Sequence, residues 1–344
     1  MKIDGGLGSN LVTVPAEAEA AEAAGYDGVW TAETNRDPFF PLLLAAEHSS
    51  RLELGTGIAV AFARNPMILA NIGWDLQAYS KGRFNLGLGS QIRPHIEKRF
   101  SMPWSHPAPR MREFILAMRA IWDCWQNGTG LEFRGDFYQH TLMTPFFNPG
   151  PSEYGPPAVY LAAVGERMTE VAGEVADGLL IHAFTTEPYL REVTLPALDR
   201  GLARAGRSRS DIQLSYPAFV ITGSNDDEVR AADSSARRQI AFYGSTPAYR
   251  GVLDFHGWGG LQPELNALSK QGKWAEMGEL IDDEVLQAFA IVCAPDQVAP
   301  AVTARFGGTV DRISFYAANA AEGGWGTVLA GLRAAATAPD RAES

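Results

Sequence analysis

Eight short, mostly apolar runs, each followed by a stretch of helical composition, recur from one end of this chain to the other. That alternation constrains the fold more than any other feature. The runs are "KIDGGLG", "DGVWTAE", "LELGTGIAV", "RFNLGLGS", "AVYLAAV", "DGLLIHAF", "IQLSYPAFVITG" and "DRISFYA". They lack a clean in-and-out alternation, as parallel strands covered on both faces do. The stretches between them suit helices: "AEAEAAEAAG" is rich in Ala and Glu and ends on Gly25, a residue placed to cap a helix C-terminus. Parallel neighbours need crossover helices, so eight such units predict an α/β fold, a (β/α)8 TIM barrel. In that fold active groups gather at the C-terminal ends of the strands. The barrel is expected to occupy residues 1–338 as a single domain, with 339–344, "DRAES" and the residue before it, as a flexible tail.

Two regions exceed the regular count. Leu131 to Pro157 begins with an aromatic, β-like segment and continues as a Pro- and Gly-rich loop, an insertion before strand five. Ser245 to Asp283 holds helical pieces between strands seven and eight. Each is either a wall or lid over the strand ends or a packing and interface segment.

Composition narrows the partners. The net charge of -11 argues against a nucleic-acid binder, whose affinity rests on neutralising phosphates. Cys124 and Cys293 are the two cysteines, too few for a disulfide framework and without metal-ligand spacing, so no metal site is expected and a reduced cytoplasm fits. The start "MKIDGGLGSN" lacks the pattern of a secretory leader, and no apolar run nears the roughly 20 residues that span a bilayer. A small-molecule ligand remains.

The strand ends supply the candidates. After strand four, "RFNLGLGSQIRPHIEKRF" passes through Gly87 and Gly89 to Ser90, Gln91, Arg93, His95, Lys98 and Arg99. Free amides at the start of a helical segment make an anion site, a phosphate being the economical guess; a tight loop with a solvated basic face is the plain alternative. The third glycine of a dinucleotide fingerprint is absent, its place taken by Ile92. After strand five, Val164, Gly165 and Arg167 open another helix and would hold the same anion, unless Arg167 pairs with Glu170 or Glu174 along that helix. Glu33 and Thr34 close strand two. The Glu33 carboxylate is placed to bind a ring N–H or move a proton, or else to form a salt bridge with Arg36 or Arg64. His182 closes strand six and serves either in proton transfer and substrate binding or as a packed histidine. His256, Phe146, Phe147, Trp258 and Trp274 are pocket-wall candidates, with core packing the competing role. H-E-x-x-H, G-x-S-x-G and P-loop signatures are missing, which favours chemistry carried by an organic cofactor.

Taken together, "AAEAAGYDGVWTAE", "LELGTGIAVAFARNP", "GRFNLGLGSQIRPHIEKRF", "YLAAVGERMTEVAGEVADGLL" and "APDQVAPAVTARF" resemble, in order and spacing, the luciferase-like monooxygenase superfamily, and within it the branch that uses the deazaflavin coenzyme F420. The resemblance runs from the N-terminus to about Ala317. It implies a TIM barrel, an oxidoreductase and hydride transfer between the deazaflavin and an organic substrate. It also implies that Glu33 lies by the deazaflavin, and that a non-prolyl cis peptide joins Gly57 to Ile58 in a bulge behind the ring, with Val60 nearby. Cofactor tail and phosphate contacts map onto Ser90, Gln91, His95, Val164, Gly165 and Arg167, and a homodimer is implied. Where the family's sugar-phosphate dehydrogenases carry a histidine and a glutamate, this chain has Thr34 and Ile92, so a sugar phosphate is not the expected substrate and Thr34 and His182 become the first proton donors to test. The rival readings are an FMN-dependent monooxygenase using O2 and a non-catalytic flavin-binding protein.

Overall fold

A computed structural model describes residues 1–316 and 325–337 of the chain; the expected flexible tail lies outside the described residues. Eight strands form its central sheet: β1 (Lys2–Gly6), β2 (Gly28–Thr31), β3 (Glu53–Thr56), β4 (Phe84–Gly89), β5 (Ala158–Ala163), β6 (Gly178–Ile181), β7 (Gln213–Ile221) and β8 (Arg312–Tyr316). Each is bonded to its successor and β8 returns to β1, closing an eight-stranded parallel (β/α)8 barrel. The eight strands are the eight apolar runs of the sequence. Two further strands were not expected: Ala59–Val60 joins the edge of β4 and Ala290–Val292 pairs with β7.

The helices start and stop where their local chemistry dictates. Helix α1 (Val14–Ala24) ends on Gly25 at a φ of 88°, the left-handed conformation anticipated for that glycine. Helix α2 spans Phe39–Glu47. Helix α3 (Pro66–Tyr79) has Pro66 in its first turn and Asn65 as its cap, the Asn65 side chain accepting from the Ile68 amide. Helix α4 (Pro107–Asn127) presents Glu113, whose carboxylate accepts from the amides of Asp136, Phe137 and Tyr138 at 2.8, 2.7 and 2.5 Å. Those bonds fix the small hairpin Phe133–Arg134 with Gln139–His140 in the first insertion.

The chain divides into two compact units. The larger comprises Gly5–Leu180 and Ala197–Gln213, and contains α1 to α4, α5 (Glu166–Val175) and most of α6 (Leu195–Arg204). The smaller comprises Met1–Asp4, Ile181–Pro196 and the described residues from Leu214 onward, including α7 (Asp226–Gly244). In the smaller unit the second insertion is four short helices, Arg250–Phe255, Leu261–Lys270, Trp274–Glu279 and Asp283–Phe289. They pack their apolar sides into a core with Phe184, Phe219, Ile240, Leu253, Leu265 and Phe289. Among the described residues no helix is long and apolar enough to cross a membrane, and no group of three or more His, Cys, Asp or Glu side chains is placed to hold a metal.

The smaller unit also contains a buried ion pair joining the first strand to the last. Arg312 donates from Nε and Nη2 to the two oxygens of Asp4 at 2.8 and 2.7 Å, with side chains 0% and 1% exposed. Removing one member of such a pair strands a charge away from water. Asp4→Ala is expected to destabilise the protein by about 4 kcal/mol in urea unfolding, whereas Glu132→Ala, which breaks the exposed Arg134 pair, is expected to leave the unfolding midpoint almost unchanged.

Candidate functional site

Three chain exits of the larger unit lie side by side because their strands are in register. Leu88 of β4 is paired on one side with Ala59, in the segment after β3, and on the other with Leu161 of β5. The Gly57–Val60 bulge, the loop beginning at Ser90 and the Val164–Gly165 turn therefore leave the sheet at one end. The peptide bond between Gly57 and Ile58 is cis, as the family resemblance implied.

Glycines make this close approach feasible. A Cβ on Gly89 would sit 2.8 Å from Ile58 Cδ1, and one on Gly87 would sit 1.7 Å from the Thr56 carbonyl oxygen. The Gly87 amide, expected to be free for an anion, donates to Thr56 Oγ1 at 2.9 Å, and the Thr56 hydroxyl donates to the Gly87 carbonyl at 2.7 Å. Gly87 thus serves strand packing.

Glu33 forms a salt bridge, and its partner is Arg64; Arg36 is exposed. Glu33 Oε2 accepts from Arg64 Nη1 at 2.6 Å and from the Val60 amide at 2.7 Å, while the Glu33 amide donates to the Ile58 carbonyl at 3.1 Å. Arg64 also donates to the Val60 carbonyl and to Asp37, and its guanidinium lies 5.4 Å from the Phe39 ring centre. The acidic residue after β2 and the bulge after β3 are one hydrogen-bonded body. Neighbouring Thr34 is exposed, its hydroxyl donating to Asn35 Oδ1 at 3.2 Å and its carbonyl accepting from Arg99.

The loop after β4 differs from its expected form. Ser90 donates to the Gln91 carbonyl, Gln91 Oε1 accepts from the Ile92 amide, and the amides of His95 and Ile96 both donate to the Ile92 carbonyl. Those two amides, expected to be free, are consumed in turning the chain, with Gln91 itself at a φ of 60°. Arg93 is paired with Glu97. His95 is exposed, and its imidazole ring has no hydrogen-bond partner among the described residues.

The turn after β5 is more open than the loop after β4. Gly165 caps α5, nothing lies within 4 Å of a Cβ built on it, and its carbonyl accepts from the Met168 and Thr169 amides at 3.1 Å, leaving the Glu166 and Arg167 amides without an intrahelical acceptor. Arg167 does not pair with Glu170 or Glu174. Glu170 is taken by Arg200 and Arg204 at 2.8 and 2.9 Å, and those bonds hold its carboxyl below the ordinary range. Glu174 is taken by Arg112 and Arg204 at 2.5 and 3.2 Å. Arg167 is left exposed and without an ion-pair partner among the described residues, one turn from a helix start that favours negative charge.

In the smaller unit His182 follows β6. Its Nδ1 accepts from the Phe184 amide at 3.0 Å, so the neutral ring carries its proton on Nε2. Burial pushes its pKa down to about 4. The ring lies 4.6 Å from both Tyr243 and Tyr249, and the Tyr243 hydroxyl meets that of Tyr316 at 3.1 Å. Burial raises the pKa values of Tyr243 and Tyr249, keeping both phenols protonated. These tyrosines carried no sequence signal: they lie 61 and 67 positions after His182 by numbering, in a helix end and an insertion. His256 is a packing residue, bonded through Nε2 to Thr186 at 2.8 Å and stacked on Trp258 at 4.3 Å. Phe146, Phe147 and Trp274 are 89%, 71% and 50% exposed.

A parallel barrel whose strand ends carry an anchored acidic residue, a cis bulge and an unpaired cation beside a helix start is a framework for a small-molecule enzyme. Residues 4–312 match the family described as luciferase-like monooxygenase, and the chain belongs to that family, whose members are enzymes. An uncharacterized protein of Mycobacterium tuberculosis is 62% identical over 313 residues, 91% of this chain and 92% of its own. A 5,10-methylenetetrahydromethanopterin reductase of Archaeoglobus fulgidus is 29% identical over 287 residues, 81% of each chain. Among solved structures, the coenzyme F420 dependent tetrahydromethanopterin reductase of Methanopyrus kandleri shares the fold with a TM-score of 0.77, at 22% identity and 96% coverage of both chains.

Two measurements check this geometry. Glu33→Ala removes the acceptor of the Val60 amide and leaves Arg64, only 15% exposed, short of its main counter-charge; a loss of about 3 kcal/mol is expected in urea unfolding. For His182 the unfolded value is 6.5 and the folded value about 4, so between those limits the unfolded chain binds a proton that the folded chain refuses. Its contribution is fully present above pH 6.5 and is lost as pH falls toward 4, by about 3 kcal/mol. The difference in unfolding free energy between wild type and His182→Gln, measured from pH 7 to 4, is expected to shrink accordingly.

Proposed function

We propose that the protein is a coenzyme F420-dependent oxidoreductase, transferring a hydride between the deazaflavin and a small organic substrate. The observation that carries this reading is the unpaired Arg167 at the open start of α5, on the strand beside β4 and its attached bulge. A molecule with a flat ring system and a phosphate-bearing tail fits that arrangement. Val164, Gly165 and Arg167 would hold the phosphate, helped by Ser90, Gln91 and the free His95 ring; Gly57, Ile58 and Val60 would back the ring system. Glu33, clamped between Arg64 and the Val60 amide, keeps the bulge in place. When bound, the deazaflavin supplies a two-electron hydride donor or acceptor.

The family's F420-dependent reductases support the choice of cofactor, since the reductase of Methanopyrus kandleri is described as F420-dependent and that of Archaeoglobus fulgidus aligns over most of the chain. His182, neutral near pH 7, acts as a hydrogen-bond donor through Nε2 and not as an imidazolium acid. Thr34 offers an exposed hydroxyl. Neither residue makes the acid-base pair that oxidation of a sugar phosphate would use. A cytoplasmic homodimer completes the reading, and the family's description as monooxygenases supports FMN with O2 as the second reading.

Titration of the purified protein with F420 and with FMN separates the two. F420 is expected to bind, and Arg167→Ala to weaken it by about tenfold, the scale of one charge-assisted hydrogen bond. Tight FMN binding with none for F420 would transfer the assignment to the monooxygenase reading.

A further inference from the structure

The aromatic cluster of the smaller unit contains two polar groups without a protein partner among the described residues. His182 Nδ1 is occupied by the Phe184 amide, which places the ring proton on Nε2. Tyr243 has its hydroxyl against Tyr316. The Nε2 of His182 and the hydroxyl of Tyr249, on rings 4.6 Å apart between centroids, have no hydrogen-bond partner among the described residues, and neither atom is sealed from solvent. The two groups sit on adjacent rings beside Tyr243 and Phe184, uncommitted to any protein partner and therefore available to a ligand.

The chemistry of the pair selects the ligand. Neither group carries charge near neutrality, because burial depresses the imidazole and raises the phenol. The adjacent cation in the chain, Arg250, is turned to Asp254 at 3.2 Å. An anion would gain no counter-charge here, and a cation would face the donor-only N–H of His182, with the Tyr249 hydroxyl oxygen alone to accept from it. Flat rings meet flat or edge-on partners well.

We propose that His182 and Tyr249 form a donor pair that binds the uncharged hydrogen-bond acceptor of the substrate, a carbonyl oxygen or imine nitrogen conjugated to a planar ring. The proposal deepens the hydride-transfer reading and rests on it for calling this ligand the substrate, since the carbon of such a group is the one that takes a hydride.

Fluorescence titration of the full chain with three naphthalene probes tests it: 2-acetylnaphthalene, a neutral ketone; 2-naphthoate; and 2-naphthylmethylammonium. The ketone is expected to bind at least about tenfold more tightly than either ion. His182→Phe and Tyr249→Phe, which keep a ring in place, are each expected to weaken the ketone by roughly three- to tenfold with unchanged circular dichroism. In the wild-type protein, the 15N resonance of His182 Nε2 is expected to move on saturation with the ketone, a readout that survives if a variant does not fold. Absence of ketone binding, equal binding of 2-naphthoate, wild-type affinity in both folded variants, or an unmoved His182 resonance overturns the proposal. None of these readouts involves the cofactor, so a failure of F420 to bind would sink the hydride-transfer reading separately.

Discussion

One carboxylate fixes the part of the larger unit on which its candidate site depends. Glu33 Oε2 accepts simultaneously from a backbone amide and a guanidinium, and the Glu33 amide returns a bond to the carbonyl of Ile58. The end of β2 is thereby tied to the segment after β3 at both its start and its finish. Bonds to a charged acceptor are the stronger kind, and with side chains only 7% and 15% exposed this pair is weakly screened by salt. Glu33 Oε2 is thus committed to anchoring the bulge, a role that residue type alone does not reveal.

Charge is distributed by competition between neighbours. Helix α5 carries Glu170 and Glu174 within reach of Arg167 along its own length, yet arginines from α4 and α6 occupy both carboxylates from outside the helix. Each such surface pair contributes little to stability. Its consequence is positional: Arg167 remains an uncommitted cation beside amides that already favour an anion. The smaller unit shows the opposite arrangement, with His182 and Tyr249 kept neutral by burial and offering donors without charge.

Each of the eight apolar runs holds one barrel strand, and the third, "LELGTGIAV", is broken into Glu53–Thr56 and Ala59–Val60. The barrel strands were legible because parallel strands covered on both faces leave continuous apolar runs. The short pieces Ala59–Val60 and Ala290–Val292 were not, being two or three residues long and defined by a neighbour's edge more than by their own composition. In the loop after β4, residue types suggested an anion site, but hydrogen bonds decide which groups are free, and Gln91 spends its side-chain Oε1 on the Ile92 amide. The packing role of Gly87 was not legible because Thr56, the neighbour it meets, is 31 positions away. The Gly57–Ile58 bond was reached through family resemblance, since no local pattern of residue types demands a cis bond there.

The tyrosines beside His182 show why an insertion can define specificity without behaving as a flap. Gln262 and Asn266, one turn apart on the helix Leu261–Lys270, both donate to the Ser245 carbonyl, at 3.1 and 2.9 Å. Those bonds join the insertion to the end of α7 just beyond Tyr243 and four residues before Tyr249. Gly244 permits the junction: a Cβ there would approach Leu265 Cδ1 to 2.9 Å. Beneath it, Leu265 and Met277 are buried with Phe184 and Phe289, whose rings stack at 4.7 Å. Tyr249 is itself partly buried against that core, so moving it away from His182 would expose apolar surface. The donor pair is held ready before any ligand arrives, and pre-ordered groups lose less entropy on binding than groups that must be assembled.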